Sequence, residues 1–223
     1  MDKTPLGVRI FDRIADKYEF TAKFLSFGIM PYWLRQLVKG ISPKGEGKVL
    51  DLACGTGILF PHLVERFDLV VGLDYSFPML REAKKKNLQK VRLVRGNALF
   101  LPFGEAVFDT AVVSLGLRHF PDIELSLREL FRVLKEGGEL HILEVGIPEN
   151  PLLGKLFLAF LKGVVLPLGR LRAKEEVYEH LFGSIVKFPH RSGLVELLQK
   201  VGFSKAEYEP VMGGIVYIYR AVK

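Results

Sequence analysis

The chain predicts an α/β fold: a mainly parallel sheet of seven strands with helices on both faces, closed at its end by an antiparallel hairpin. Three observations carry this. Short apolar, β-branched runs recur along the middle of the chain, helical segments alternate with them, and the last two strand-like runs are separated only by Gly213–Gly214. So short a connection forces an antiparallel return, whereas the strand-helix alternation implies parallel pairing covered on both sides.

Each element follows from its own residues. The runs at 48–54, 68–75, 91–97, 108–116 and 139–147 are long enough for strands and too short for typical helices. Helical stretches lie between them at 58–66, 77–90 and 121–136. In the last of these, Ile123, Leu127, Leu130, Phe131 and Leu134 share one face, Pro121 and Asp122 suit the first turn, and Gly137–Gly138 suits the exit. The connection ALFLPFGEAV (98–107) is too turn-rich for a helix. A further amphipathic helix is expected over 189–202, then strands over 206–212 and 214–222. Two segments lie outside the repeat: an N-terminal cap (1–45) with two helices around Tyr18 and Trp33, and an insertion or lid (148–188). All of this reads as a single domain, 1–223.

With 49% hydrophobic and 26% charged residues, the composition excludes a disordered chain, a collagen and a coiled coil. The net charge of +7 favours an anionic partner, nucleic acid or an acidic membrane surface, without naming a site. The one cysteine, Cys54, forms no internal disulfide, and the N-terminus has no apolar signal core, so a cytoplasmic location is the expectation.

The chemistry concentrates where the first strand runs into Asp51-Leu52-Ala53-Cys54-Gly55-Thr56-Gly57 ahead of a helix. Gly55 and Gly57 permit a sharp turn and let a ligand approach the main chain, and Asp51 is placed to orient the loop. Asp74 ends the second strand 17 residues after Gly57, where a carboxylate accepts hydrogen bonds from both ribose hydroxyls. A plain glycine turn beside a solvated carboxylate would not require this agreement of loop, strand ends and spacing. A dinucleotide loop places a third glycine three residues after the second; that position is Phe60, which serves a pyrophosphate poorly. S-adenosylmethionine (SAM), an adenosine joined to an amino acid, needs no diphosphate cradle.

The motifs VLDLACGTG, GLDYSFPML, GNALFLPF, FDTAVVSLGLRHF and ELFRVLKEGGELHILE resemble, in order and spacing, those of the ubiquinone/menaquinone biosynthesis C-methyltransferases. These are class I SAM-dependent enzymes with a Rossmann-like fold. The resemblance reaches both ends through FDRIADKYEFTAKFLSFGI (11–29), YEHLFGSIVKFP (178–189) and MGGIVYIYR (212–220). It implies cofactor contacts at Thr56, Asp74, Asn97, Ala98 and Ser114, with the Asn97 amide oxygen toward the adenine amino group and the Ala98 N–H toward the ring edge. Cys54 reads as a packing residue, since no basic residue adjoins it.

The resemblance also implies a carbon acceptor: ring methylation of a polyprenylated quinol, demethylmenaquinol to menaquinol, leaving S-adenosyl-L-homocysteine. A quinol carbon becomes nucleophilic when its hydroxyl loses a proton, so a base and an anion partner belong beside the methyl group. The family pattern puts Arg118 there, to hold the phenolate or a water. His119, where the family usually has Asn, is either the base or a strand-end histidine. Tyr18 is retained in the N-terminal motif, as a site hydroxyl or as cap packing, whereas Glu19 and Ala22 stand where the family commonly has Asp and Asn. The other histidines, His62, His141, His180 and His190, have no metal-ligand spacing, and no metal is expected.

Residues 152–168 are strongly apolar but fall short of a membrane span; Lys155 and Lys162 share a helical face, and Arg170, Arg172 and Lys174 follow. Such a segment fits the surface of an anionic membrane, a channel for an isoprenoid tail, or a lid packed on the core. A different small lipid, phenol or sterol-like acceptor is the alternative enzyme reading. A nucleic-acid methyltransferase is disfavoured because Ser114-Leu115-Gly116-Leu117 stands where base methylation uses an Asn/Asp-Pro-Pro-aromatic run, and the basic residues are dispersed. A homo-oligomer is compatible with all of these readings.

Overall fold

The computed structural model describes residues 6–42, 45–165, 167 and 175–223, and leaves aside the side chains of Leu6 and residues 175–179. Arg170, Arg172 and Lys174 lie outside the described residues.

Seven strands form one sheet: β1 (Gly45–Leu52), β2 (Phe67–Asp74), β3 (Val91–Arg95), β4 (Phe108–Ser114), β5 (Leu134–Val145), β6 (Ser204–Val211) and β7 (Val216–Val222). Their order is β3-β2-β1-β4-β5-β7-β6. The first five pair in parallel, and β7 runs antiparallel to both β5 and β6, as the sequence predicts. Successive central-strand residues alternate between two apolar cores. Val49, Val70 and Val112 face one, under α3 (Met30–Lys39), α4 (Phe60–Leu63) and α5 (Phe77–Lys84). Leu50, Val71 and Val113 face the other, under α6 (Ile123–Val133) and α9 (Ser192–Val201). That two-sided burial is why these strands read as continuous apolar runs. The remaining helices are α1 (Leu6–Ile14), α2 (Tyr18–Leu25), α7 (Pro151–Phe160) and α8 (Glu175–Lys187).

Capping fixes several helix starts. Ser76 Oγ accepts from the Met79 N–H, an Asp122 carboxylate oxygen from the Leu125 N–H, and Asn150 Oδ1 from the N–H groups of Leu152 and Leu153. Pro121 thus precedes the helix that Asp122 caps.

Five expectations need correction. The helix expected over 121–136 ends at Val133, and β5 begins at once with Leu134; Gly137, at φ +72°, sits in a register irregularity of that strand. Pairing of Leu134 with Phe108 captures the last turn for the sheet. The helix expected over 58–66 is a single turn, and that over 77–90 stops at Lys84 because the loop must return to start β3 at Val91. Among the described residues the cap holds three α-helices, with α1 in addition to the two around Tyr18 and Trp33. Helix α7 ends at Phe160 and continues as a π-helical turn, Leu161–Val165, so Lys155 and Lys162 are not related by one regular helix.

Candidate active site

The site lies where β1 and β4 adjoin and the connections leave their carboxyl ends in opposite directions, the crevice in which open α/β sheets bind ligands. Each strand is followed at once by a non-glycine residue at positive φ, Ala53 (+57°) after β1 and Leu115 (+57°) after β4. Strain of this kind persists where surrounding packing imposes it, and both residues line the crevice. Gly57, at φ +73°, has no room for a Cβ, which would run into the Phe60 ring. Phe60 is completely buried. The position where a dinucleotide loop carries its third glycine is therefore filled by an aromatic packed beneath the loop.

A cavity of ≈ 350 Å³ opens there, lined by Gly55, Asp74, Asn97, Ala98, Ser114 and His119 among others. Asp74 accepts the Gly55 N–H and the Ser76 N–H, each at 2.8 Å, through its two oxygens, which fixes the carboxylate at the cavity wall. Burial pushes its pKa up, opposed by those two N–H groups. Asn97 Oδ1 accepts the Leu99 N–H at 3.0 Å, an Asx-type turn that presents the 97–98 backbone to the cavity. The donor and acceptor set fits an adenosine: a carboxylate for the ribose, backbone and amide groups for the ring, and a glycine backbone for the amino-acid part.

Other predicted residues lie elsewhere. Thr56 is buried behind the loop, its hydroxyl donating to Glu19 Oε1 at 2.8 Å; Lys86 donates to the same oxygen at 2.8 Å. Neither Thr56 nor Gly57 is among the cavity's lining residues. Asp51 is 1% exposed beneath the loop with no hydrogen-bond partner on Oδ1 among the described residues, and burial, followed by the Asp74 charge, raises its pKa well above the usual carboxylate range. Burial likewise pushes the Cys54 thiol up, away from nucleophilic thiolate.

A second cavity of ≈ 420 Å³ adjoins the first, and Phe11, Tyr18, Leu115 and His119 line both. Its walls are mainly apolar: Trp33, Phe157, Phe160, Leu161, Ile185 and Met212, from α3, α7, α8 and the β6–β7 connection. Among the described residues of its lining, Arg118 is the permanently cationic side chain. The guanidinium donates to Glu144 and, at 2.7 Å, to the Leu115 carbonyl, while its Nε is buried without a partner among the described residues. The Tyr18 hydroxyl has its pKa raised by burial, against a lowering from Arg118.

Sequence reasoning missed Glu144, Asp12 and His180. Glu144, a lone charge in the apolar run HILEVGI, carried a readable signal. Asp12 accepts a hydrogen bond from Ser76 Oγ and ties α1 to the start of α5. Among the described residues, no cluster of three or more His, Cys, Asp or Glu is arranged to hold a metal, and no helix is long and apolar enough to cross a membrane.

Comparison with known proteins agrees with this architecture. The model of the ubiE/COQ5 methyltransferase family matches residues 3–223. A demethylmenaquinone methyltransferase of Corynebacterium kroppenstedtii is 35% identical over 100% of this chain and 97% of its own length. The ubiquinone/menaquinone biosynthesis C-methyltransferase UbiE of Blochmanniella floridana is 35% identical over 99% of this chain and 91% of its own. In fold, a SAM-dependent methyltransferase of Thermotoga maritima superposes with a TM-score of 0.70 at 23% identity, covering 96% of this chain and 99% of that one. The chain belongs to the ubiE/COQ5 methyltransferase family and is a SAM-dependent methyltransferase.

Proposed function

We propose that the whole chain, 1–223, is one C-methyltransferase unit that methylates the ring of a polyprenylated quinol, demethylmenaquinol, with residues 1–45 as a cap and 148–188 as a lid over the acceptor. The observation that carries this is the pair of adjoining cavities, one edged by Asp74 and Asn97 and the other mainly apolar, with Tyr18 and His119 in their common wall. The full-length relatives named for menaquinone and ubiquinone biosynthesis support the same acceptor.

SAM, when bound, supplies an electrophilic methyl group. Asp74, Asn97, Ala98, Ser114 and the Gly55 backbone hold it, with Thr56 and Asp51 supporting the loop from behind. The chain's remaining task is to align the acceptor, keep water out and receive a proton. The apolar cavity desolvates the ring and the start of its tail. Arg118, fixed by Glu144, puts a permanent positive charge beside the forming phenolate, and the Tyr18 hydroxyl adds a donor. His119 is the base.

The lipid tail of such a substrate calls for contact with a membrane. Leu152, Leu153, Leu156, Phe160 and Val164 are all at least 38% exposed beside Lys155 and Lys162, a surface suited to peripheral contact with anionic lipid from the cytoplasmic side.

Labelled SAM incubated with reduced demethylmenaquinone, reduced benzoquinones and simple phenols tests the acceptor. Label transfer to the naphthoquinol is expected; transfer only to phenols or other lipids would overturn the quinol reading.

A further inference from the structure

We propose that His119 and His180 form a two-ring proton relay, in which His119 takes the acceptor hydroxyl proton and His180 passes a proton on to solvent. The inference rests on the quinol reading and adds His180 to the machinery.

The two rings come from segments 61 residues apart: His119 closes the short turn after β4, and His180 lies on α8. Their Nδ1 and Nε2 atoms are 3.1 Å apart, and the rings stack at 5.1 Å with planes 21° apart. Helix α1 holds the pair from the other side, with the Phe11 ring edge-on to His119 at 5.0 Å. A Cβ at Gly7 would come within 3.1 Å of His180 Nε2, so the backbone of α1 abuts the second ring. The remaining ring nitrogen of His119, Nε2, is buried and has no hydrogen-bond partner among the described residues. A buried polar atom without a partner is costly unless a ligand completes it, and His119 lines both cavities. His180 is half-buried and so leads from the closed wall toward the outside.

A bare structural strut between two helices would not call for this arrangement. An apolar pair would fill the same space without orphaning a nitrogen at the junction of two cavities. The charged groups around the pair also suit a base. Arg118 on the same turn faces both rings, with Glu144 paired to it from β5, and the Tyr18 hydroxyl stands beyond Phe11 on α2. Burial, then Arg118, holds both imidazoles below their ordinary range, His119 further than His180 and also through its partner ring. Both rings are therefore neutral near pH 7 and able to accept.

In the relay, neutral His119 carries its proton on Nδ1 and donates it to Nε2 of His180, which leaves His119 Nε2 open. The acceptor O–H bond breaks and its proton goes to that Nε2. The ring carbon gains its bond to the methyl group as the methyl–sulfur bond breaks, and the sulfur departs with the electron pair as a neutral thioether. The Nδ1 proton of His119 moves to His180 Nε2, and His180 releases its own Nδ1 proton to solvent. The methylated carbon then loses its hydrogen to water as a proton, the oxygen recovers a proton from His119 Nε2, His180 takes one from solvent on Nδ1, and its Nε2 proton returns to His119 Nδ1, which restores both rings. One proton is released overall and nothing is oxidised or reduced.

The test compares the unaltered chain with His119→Gln, His119→Ala and His180→Gln, using SAM and a short-tailed reduced demethylmenaquinone. The expected results are a kcat about 10²- to 10³-fold lower in both His119 variants, partial rescue of His119→Ala by added imidazole, and a kcat roughly tenfold lower in His180→Gln. In His180→Gln, which keeps a polar group against Nδ1, the acid limb of the kcat profile follows His119 alone, whose pKa shifts upward once a protonated partner ring no longer opposes its charge. Imidazole ¹⁵N spectra should show the same upward shift for His119 without any turnover. SAM affinity by calorimetry should stay within twofold throughout. Variants with unaltered kcat and an unmoved acid limb, or activity lost only in step with SAM affinity, overturn the relay. An unaltered chain that methylates no naphthoquinol overturns the acceptor reading, and the relay with it.

Discussion

Glu144 and Arg118 form a buried ion pair beneath the acceptor cavity, their side chains 1% and 7% exposed. Glu144 also accepts the Arg118 backbone N–H at 3.2 Å, so it fixes the turn and the guanidinium together. Breaking a buried pair by removing one partner leaves an uncompensated charge and costs about 3–5 kcal/mol. Glu144→Ala is therefore expected to lose stability on that scale in urea unfolding. Arg118→Lys should unfold closer to wild type and still lose methyl transfer, because Nη1 alone makes the Glu144 and Leu115 contacts, and an ammonium in its place leaves no second nitrogen to face the acceptor. A Glu144→Ala variant as stable as the parent would show that the pair does not organise this turn.

Asp74→Ala removes the carboxylate from the cofactor cavity. With hydrogen bonds to a charged group contributing roughly 1.5–3 kcal/mol each, loss of a bidentate ribose contact should weaken SAM binding by about 10²-fold or more. Calorimetry checks this, and unchanged affinity would remove Asp74 from the ribose.

Glu19 links the cap to the glycine loop through Thr56 and to the turn after α5 through Lys86. Glu19 and Lys86 are partly exposed, so Glu19→Ala should cost less than about 1 kcal/mol in global stability. The local effect should be larger: faster hydrogen exchange in α1 and α2 and faster release of SAM in stopped-flow. Exchange and release rates equal to wild type would separate the cap from cofactor retention.

Asp51 sets a pH dependence. Its folded pKa is raised, so as pH climbs past the ordinary carboxylate value, about 4, the unfolded chain releases this proton first and the native state loses relative stability until the raised folded value is passed. The penalty is absent below that window and present above it. Asp51→Asn should flatten this slope in the ligand-free protein and narrow its difference from the parent toward pH 4. Denaturant midpoints at intervals from pH 4 to 8 measure it; parallel slopes for parent and variant would contradict the assignment.

The exposed apolar face of α7 carries the membrane proposal. Leu156→Glu together with Phe160→Glu should reduce flotation with anionic vesicles severalfold and leave SAM binding unchanged; equal flotation with neutral and anionic vesicles would count against a charge-assisted surface.

Short-range physics made much of this protein legible in its sequence. Two-sided burial wrote the five parallel strands as apolar runs, Gly213–Gly214 marked the final hairpin, and Gly55, Gly57 and Asp74 marked the cofactor loop, because periodicity and turn chemistry depend on neighbouring residues. Helix ends were less legible: pairing of Leu134 with Phe108 overrode the helical pattern through residue 136, a competition no local window contains. The decisive side-chain partnerships were invisible for the same reason. Arg118 meets Glu144 because β4 and β5 are neighbours, Thr56 meets Glu19 because the cap folds over the loop, and His119 meets His180 because α8 returns to the carboxyl end of the sheet. Residue types and spacing determined which chemistry the chain carries; strand order and helix packing, which set distances between residues far apart in sequence, decided which groups share a site.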